Sequence, residues 1–121
     1  MRKRIPNEVL TFMARKFRLL SDPTRLAILR TLMTVGEQSV GQIVDETRAS
    51  QANVSKHLKQ LAAAGFVARR KKGLHVLYRL DDPVVEKICE LVCNTILKDL
   101  ERQVEENQSQ PRPSTRKSKR G

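Results

Sequence analysis

The sequence predicts a mainly α-helical domain with one small β-hairpin, and three observations support this fold class. Between residues 7 and 64, apolar side chains recur at the spacing of amphipathic helices. Between residues 66 and 80, β-branched and aromatic residues lie on both sides of Lys71-Lys72-Gly73, a pattern typical of two strands and a turn. Helical spacing then returns from residue 84 to about residue 104. We therefore expect four helices, a hairpin and a long fifth helix.

Capping signals mark the first two helices. Residues 7–20 form the first, and it ends before the Ser-Asp-Pro sequence at residues 21–23. In that sequence a capping residue precedes a proline, whose missing N–H costs nothing at the first helical position. The second helix is expected to run from there to Gly36.

The third and fourth helices are separated by a short turn at Ala49. Ser39 and Gln42 have the spacing of a capping box, which opens a short third helix. Ser50 is a good N-cap residue, and Gly65 suits the left-handed position that closes a helix. Residues 50–65 therefore predict one complete helix.

Composition divides the chain into three parts. We expect a basic N-terminal arm at residues 1–6, a folded domain at residues 7–107 and a disordered basic tail at residues 108–121. The tail is rich in proline and serine and has no apolar periodicity, which is typical of disorder.

The charge of the chain indicates a polyanionic partner. The 121 residues have a formal net charge of +11, from 24 basic and 13 acidic residues. The last fourteen residues contain five basic residues and no acid, so the remainder has 19 basic against 13 acidic residues. A body that is basic without its tail favours nucleic acid as the partner. We find neither an apolar stretch of about 18 residues nor a signal peptide, and expect a cytoplasmic protein with no membrane partner.

The order of the elements is that of a winged helix-turn-helix, in which the helix after the short turn enters the DNA major groove. In the fourth helix Val54, Leu58 and Leu61 form the core-facing stripe. The other face carries no acid, and its polar side chains suit base edges while its lysines suit phosphates. The predicted DNA contacts of this helix are Ser50, Gln51, Asn53, Ser55, Lys56, Lys59 and Gln60.

The hairpin is the second predicted contact. Its basic run fits a wing that reaches the DNA backbone or the minor groove, although a solvated turn is the simpler alternative. The predicted wing contacts are Arg69, Arg70, Lys71 and Lys72. His57, in contrast, is expected to pack and form hydrogen bonds locally. Arg25 is expected to pair with a nearby acid and so hold helices together.

Three segments together resemble the ArsR/SmtB family of dimeric winged-helix repressors. They are LSDPTRLAILRTL at residues 20–32, SQANVSKHLKQLAAAGFV at residues 50–67 and LYRL at residues 77–80. The resemblance covers residues 8–104. It implies a homodimer built through the first and last helices, binding to a palindromic operator on double-stranded DNA, and in many members release by a metal ion or another signal.

The resemblance includes two kinds of metal site, and neither is complete in this sequence. Ser39 and Gly41 stand where one kind has a Cys-x-Cys pair. Asp82 matches the first ligand position of the other kind. The remaining positions of that second site are Val84, Thr95 and Lys98. One carboxylate cannot hold zinc, which takes about four ligands, so we expect neither site and no cofactor.

Cys89 and Cys93 leave two interpretations open. Both can be small apolar residues of the dimer interface, as free cysteines commonly are. Alternatively, they can form a thiol sensor for a soft ion or an oxidant. An intrahelical disulfide is excluded for an undistorted helix, because Cβ atoms at this spacing lie about 5–6 Å apart, against about 3.8 Å in a disulfide.

Other function classes fit less well. The sequence contains no glycine-rich phosphate loop, no nucleophile elbow and no carboxylate cluster placed with a histidine, so an enzyme is not expected. Two alternatives to an inducible repressor remain. One is a winged-helix repressor without an inducer, and the other is a winged-helix module that binds proteins.

Overall fold

The computed structural model describes residues 4–109, and it confirms a mainly helical fold with a β-hairpin. Residues 1–3 of the predicted arm and residues 110–121 of the predicted tail lie outside the described residues. The elements, in chain order, are α1 (Asn7–Leu20), α2 (Pro23–Thr34), β1 (Gln38–Ser39), α3 (Val40–Thr47), α4 (Gln51–Ala63), β2 (Val67–Lys72), β3 (His75–Leu80) and α5 (Pro83–Ser109).

The predicted caps of α2 and α3 are present. The carboxylate of Asp22 accepts the backbone N–H of Arg25 at 2.9 Å, so α2 begins as the Ser-Asp-Pro pattern predicts. Ser39 and Gln42 form the complete capping box, in which the Ser39 N–H donates to the Gln42 side chain at 2.9 Å and the Ser39 hydroxyl accepts the Gln42 N–H at 3.3 Å.

The core of the first part of the chain lies where α2, α3, α4 and the hairpin meet. The stripe of α4 predicted to face the core is fully buried. The buried apolar residues of this core are Ile28, Leu29, Leu32, Ile43, Val54, Leu58, Leu61, Phe66, Val67 and Tyr78. Its burial fixes which side of α4 faces outward.

The two-residue strand β1 was not predicted from the sequence. It pairs antiparallel with β3, which also pairs with β2, so the sheet has the order β1-β3-β2. Gln38 lies opposite Tyr78 and is buried. Its Nε2 donates to the carbonyls of Thr31 at 3.0 Å and Gly36 at 3.1 Å, which satisfies the amide. The strand has only two residues, both polar, and the one that is buried is a glutamine. The sequence therefore lacks the alternation of apolar and polar residues that predicts a strand.

The long helix α5 extends further than predicted. It continues to Ser109, not to about residue 104, so the first two residues assigned to the tail are helical. The chain divides into two compact units, of which the first ends at Pro83 and the second begins at Val84. The boundaries proposed at residues 7 and 107 stay predictions.

Candidate nucleic-acid interface

Both ends of α4 are fixed by hydrogen bonds. Ser50 is its N-cap, and the hydroxyl accepts the backbone N–H of Asn53 at 3.1 Å. At the other end, the N–H groups of Gly65 and Phe66 donate to the carbonyls of Ala62 at 3.0 Å and Leu61 at 2.9 Å. These two bonds form a Schellman motif, and Gly65 has the positive φ of +81° that the motif requires.

The face of α4 opposite its buried stripe is open and carries no acid. Ser55 is half-buried beside the core, and the other predicted contacts are exposed. Within residues 4–109, five of the predicted side chains of this helix form no hydrogen bond or ion pair; they are Gln51, Asn53, Ser55, Lys56 and Lys59. A surface of free amides and ammonium groups can both read base edges and neutralise phosphates.

Two other predicted contacts of α4 are engaged inside the protein. The Ser50 hydroxyl serves as the helix cap, and the Gln60 amide oxygen accepts a hydrogen bond from Nη1 of Arg25 at 3.1 Å. The assignment of both residues to DNA stays a prediction. Their observed bonds hold the start and the last turn of α4 in place.

His57 makes local contacts as expected, and Arg25 connects helices, but its guanidinium binds carbonyl and amide groups instead of the nearby acid that was expected. Nε of Arg25 donates to the carbonyl of Leu19 at 2.7 Å, and Nη1 lies 3.4 Å from Nδ1 of His57. Nε2 of His57 lies 3.9 Å from the carboxylate of Asp22. The bond from the Arg25 N–H, with smaller contributions from the Arg25 and His57 charges, lowers the pKa of Asp22 against the opposing effect of desolvation. Together, the contacts of Arg25, His57 and Asp22 connect the end of α1 and the start of α2 to α4.

The hairpin places its basic side chains on two faces. Arg69 and Lys71 lie opposite Tyr78 and Val76 in the β2–β3 register and therefore share the face of the buried Tyr78. Arg70 and Lys72 project from the other face. Gly73, at φ +63°, begins a two-residue turn whose second residue, Leu74, is fully exposed at the tip.

One basic residue of the wing is bound to an acid. Nε and Nη2 of Arg70 each donate to a carboxylate oxygen of Glu37 at 2.7 Å, a bidentate ion pair. The hydrogen bonds from Arg70, with a smaller contribution from its charge, lower the pKa of Glu37 against the opposing effect of desolvation. The same hydrogen bonds and the charge of Glu37 raise the pKa of Arg70. Within the described residues, the other three wing cations have no such partner; they are Arg69, Lys71 and Lys72. No local pattern in the sequence predicts this role of Glu37.

Cys89 and Cys93 are free thiols on one side of α5. Cys89 is half-buried and Cys93 is exposed. Burial, and secondarily the neighbouring Cys93, raises the pKa of Cys89, which reduces its thiolate fraction at neutral pH. This environment is that of a packed thiol more than that of an activated one.

The positions compared with metal sites have other structural roles. Ser39 belongs to the capping box, and Asp82 forms an ion pair with Lys16 at 3.4 Å. In the part of the chain that the structure describes, no group of three or more His, Cys, Asp or Glu side chains is placed to hold a metal ion.

No helix among residues 4–109 has the length and hydrophobicity needed to cross a bilayer.

Comparison with known proteins places this geometry in a family. Residues 22–69 match the family described as bacterial regulatory protein, arsR family. An uncharacterized HTH-type transcriptional regulator of Methanocaldococcus jannaschii is 41% identical over 76 residues, which are 63% of this chain and 85% of that protein. The HTH-type transcriptional repressor SmtB of Mycobacterium tuberculosis (strain H37Rv) is 40% identical over 77 residues, which are 64% of this chain and 56% of the repressor.

A solved structure gives the same architecture. It is the homodimeric winged helix-turn-helix DNA-binding domain from Mycobacterium bovis, a possible ArsR-family regulator, with a TM-score of 0.71 and 28% identity over 84% of this chain and 95% of that one. The chain thus spans most of the archaeal regulator and of this domain, and about half of SmtB. Sequence and fold agree that this chain belongs to the ArsR/SmtB family of helix-turn-helix transcriptional regulators.

Proposed function

We propose that this protein is an operator-binding transcriptional repressor that inserts α4 into the major groove and has no catalytic activity. The observation that carries the proposal is the exposed, acid-free face of α4. A solvated helix normally mixes charges of both signs, whereas this face presents free amides near its start and free lysines further along. The face lies on a helix fixed at both ends, which allows side chains to be presented in a constant register.

Different side chains of α4 have different roles in the proposal. Gln51, Asn53 and Ser55 lie in its first turns and read base edges, because amide and hydroxyl groups can donate and accept in the major groove. Lys56 and Lys59 neutralise phosphates. In the wing, the unpaired cations contact the backbone on the neighbouring groove; they are Arg69, Lys71 and Lys72.

The binding unit in this proposal is a homodimer on a palindromic site. α1 contains no buried residue, and α5 carries a row of exposed apolar side chains. The large apolar residues of α1 that stay exposed are Val9, Leu10, Phe12 and Phe17. A second copy that covers these surfaces on both helices would present two copies of α4, which fit half-sites about 34 Å apart on one side of the duplex.

The proposal is tested by mobility shift on the DNA upstream of the protein's own gene and on a scrambled duplex of equal length, at several salt concentrations. Gln51→Ala should weaken operator binding by about 1–3 kcal/mol and leave scrambled-duplex binding unchanged. Lys56→Ala should weaken both and reduce the salt slope by about 0.9, as expected for one lost phosphate contact.

Two results would contradict the proposal. Equal affinity of the wild type for operator and scrambled duplex would remove sequence-specific recognition, and absence of duplex binding would favour a protein-binding module instead. Unchanged operator affinity in Gln51→Ala would show that other residues read the bases.

A further inference from the structure

Glu37 is an acidic residue at the base of a basic wing. It directly precedes β1, whose pairing with β3 brings this part of the chain beside the wing. Both of its carboxylate oxygens bind Arg70 at 2.7 Å. Its side chain is 25% exposed and that of Arg70 is 48% exposed, so the pair lies at the surface and is not part of the core.

Further cations surround the same carboxylate. The charges of Arg79 and Lys72 act on Glu37 in addition to that of Arg70. Glu37 and Lys72 line one open groove beside the wing, together with His75 from the start of β3. Glu37 therefore lies where an anion approaching these cations would have to compete with it.

The geometry of the pair resembles the contact that arginine makes with phosphate. Arginine binds carboxylate and phosphate through the same parallel N–H donors, and Glu37 already occupies two of them on Arg70. Lys72, two residues nearer the turn on the same face, is close enough for its charge to act on Glu37 but forms no hydrogen bond or ion pair within the described residues. Neighbouring wing cations thus differ in availability although the sequence run suggests that they are equivalent.

We propose that Glu37 is an affinity-setting residue, which withholds Arg70 from the DNA phosphates by keeping it in an intramolecular ion pair. The inference rests on the proposed DNA-binding function and assigns Glu37 as a competitor of the DNA backbone at the wing. It also reverses the expectation from the sequence that Arg70 itself contacts DNA.

Removal of the carboxylate should therefore strengthen DNA binding. In Glu37→Gln the released Arg70 gains one phosphate contact, which steepens the salt slope by about 0.9 and raises affinity for any duplex by about eightfold at ~0.1 M salt. Arg70→Gln alone should change the slope little, because this side chain is not used on DNA. The double variant Glu37→Gln/Arg70→Gln should return to the wild-type slope.

The test measures binding of a fluorescent scrambled duplex by anisotropy across a salt series for these variants. Glu46→Gln is the matched control, since it removes one negative charge from the exposed face of α3 without breaking a described ion pair. Thermal unfolding of each variant monitors the fold. The inference is supported if the slope steepens in Glu37→Gln only, and if Arg70→Gln cancels that change.

Contrary outcomes are distinct from failure of the proposed function. A Glu37→Gln slope equal to that of wild type or Glu46→Gln would overturn the inference, as would a slope reduced by about 0.9 in Arg70→Gln alone. In both cases the wild type still binds its operator and the proposed function stands. If the wild type binds no duplex, both are wrong.

Discussion

At the residue scale, Arg25 illustrates how one side chain can orient the outward face of α4. Its guanidinium binds the carbonyls of Leu19 and Arg18 at the end of α1 and the amide of Gln60 on α4. The Leu19 carbonyl lies at the helix end, where it has no partner within the helix, so the cation satisfies it and interacts favourably with the helix dipole. The Arg18 carbonyl also accepts the backbone N–H of Ser21 at 3.2 Å. The planar fork is needed to reach both helices at once.

We expect Arg25→Lys to destabilise the protein by about 1–3 kcal/mol, since an ammonium group cannot make the set of bonds made by the guanidinium. The free energy of unfolding is measured by urea denaturation. Arg30→Lys is the control, because Arg30 is exposed on the same helix and its side chain has no partner in the described structure. Equal stability of the two variants would contradict this role.

Cys89 gives a prediction of pH dependence. Its pKa is raised above the ordinary value of 9.0, so the thiolate, which is the reactive form, is suppressed below that pH and increases only as pH rises through the shifted value. Alkylation by iodoacetamide should therefore be slower at pH 8 for Cys89 in the folded protein than for the same thiol in the unfolded chain, and should still increase above pH 9.0.

The cysteine measurement uses the single-thiol variants Cys93→Ser and Cys89→Ser, with the urea-unfolded protein as the reference. Faster alkylation of folded Cys89 than of the unfolded chain would indicate an activated thiol and favour the sensor interpretation. Addition of oxidant or As(III) to the DNA-binding assay tests the same alternative by function. Thiol responsiveness stays a prediction until one of these responses is seen.

At the scale of elements, the ends of helices could be predicted from the sequence where the residues that determine them lie close together in the chain. The caps at Asp22, Ser39 and Ser50 act over three residues, and the sequence placed all three helix starts correctly. Gly65 marked the end of α4 for the same reason. The end of α5 was placed too early because Glu105, Glu106 and the polar residues after them continue the helix without an apolar stripe.

Contacts between distant segments could not be predicted in this way. The outward face of α4 could be predicted from the helical spacing of its apolar residues, because burial of one stripe leaves the opposite face exposed. The ion pair of Arg70 could not be predicted, because Glu37 lies 33 positions away and only the pairing of β1 with β3 brings it to the wing. Periodicity identifies which side chains are exposed, but not which of them are already paired.

The backbone conformations of two glycines predict opposite effects of substitution by alanine. Gly65→Ala should cost about 1 kcal/mol of stability, because φ is +81° there and no atom lies within 4 Å of the added Cβ, so the penalty comes from the backbone alone. Gly41→Ala lies within α3, where the Cβ meets only the Ser39 hydroxyl at 3.9 Å, and should stabilise by about 0.5–1 kcal/mol. Urea denaturation of both variants checks the signs. Equal or greater stability of Gly65→Ala would contradict a backbone cost at Gly65, and destabilisation by Gly41→Ala would contradict the expected gain in α3.

At the scale of the whole molecule, the exposed apolar surfaces require an explanation. Single exposed apolar side chains are common, but contiguous rows on a helix are typical of association surfaces. On α5, Val92, Ile96 and Leu100 are each about half exposed and follow one another at helical spacing, with Cys89 and Cys93 on the same side. A homodimer that buries this row would also remove both thiols from solvent.

The dimer proposal predicts different results for two charges placed on α5. Ile96→Asp lies within the row and should produce monomers, since a carboxylate buried in an apolar interface has no partner. Leu91→Asp introduces the same charge on the same helix, but residue 91 lies about 140° around the helix from residue 96, so the dimer should persist. Leu91 is 68% exposed and Ile96 is 52% exposed. A larger effect of the charge at Ile96 would therefore reflect its position in the row and not a greater exposure in the single chain.

Sedimentation of both variants measures the oligomeric state, and mobility shift measures the consequence for DNA. Ile96→Asp should lose most of its preference for the operator, because one α4 alone reaches a single half-site, while each monomer retains the lysines that bind any duplex. Leu91→Asp should bind the operator as the wild type does. A dimeric Ile96→Asp variant would place the interface elsewhere, and a monomeric wild type with full operator affinity would show that paired recognition helices are not needed.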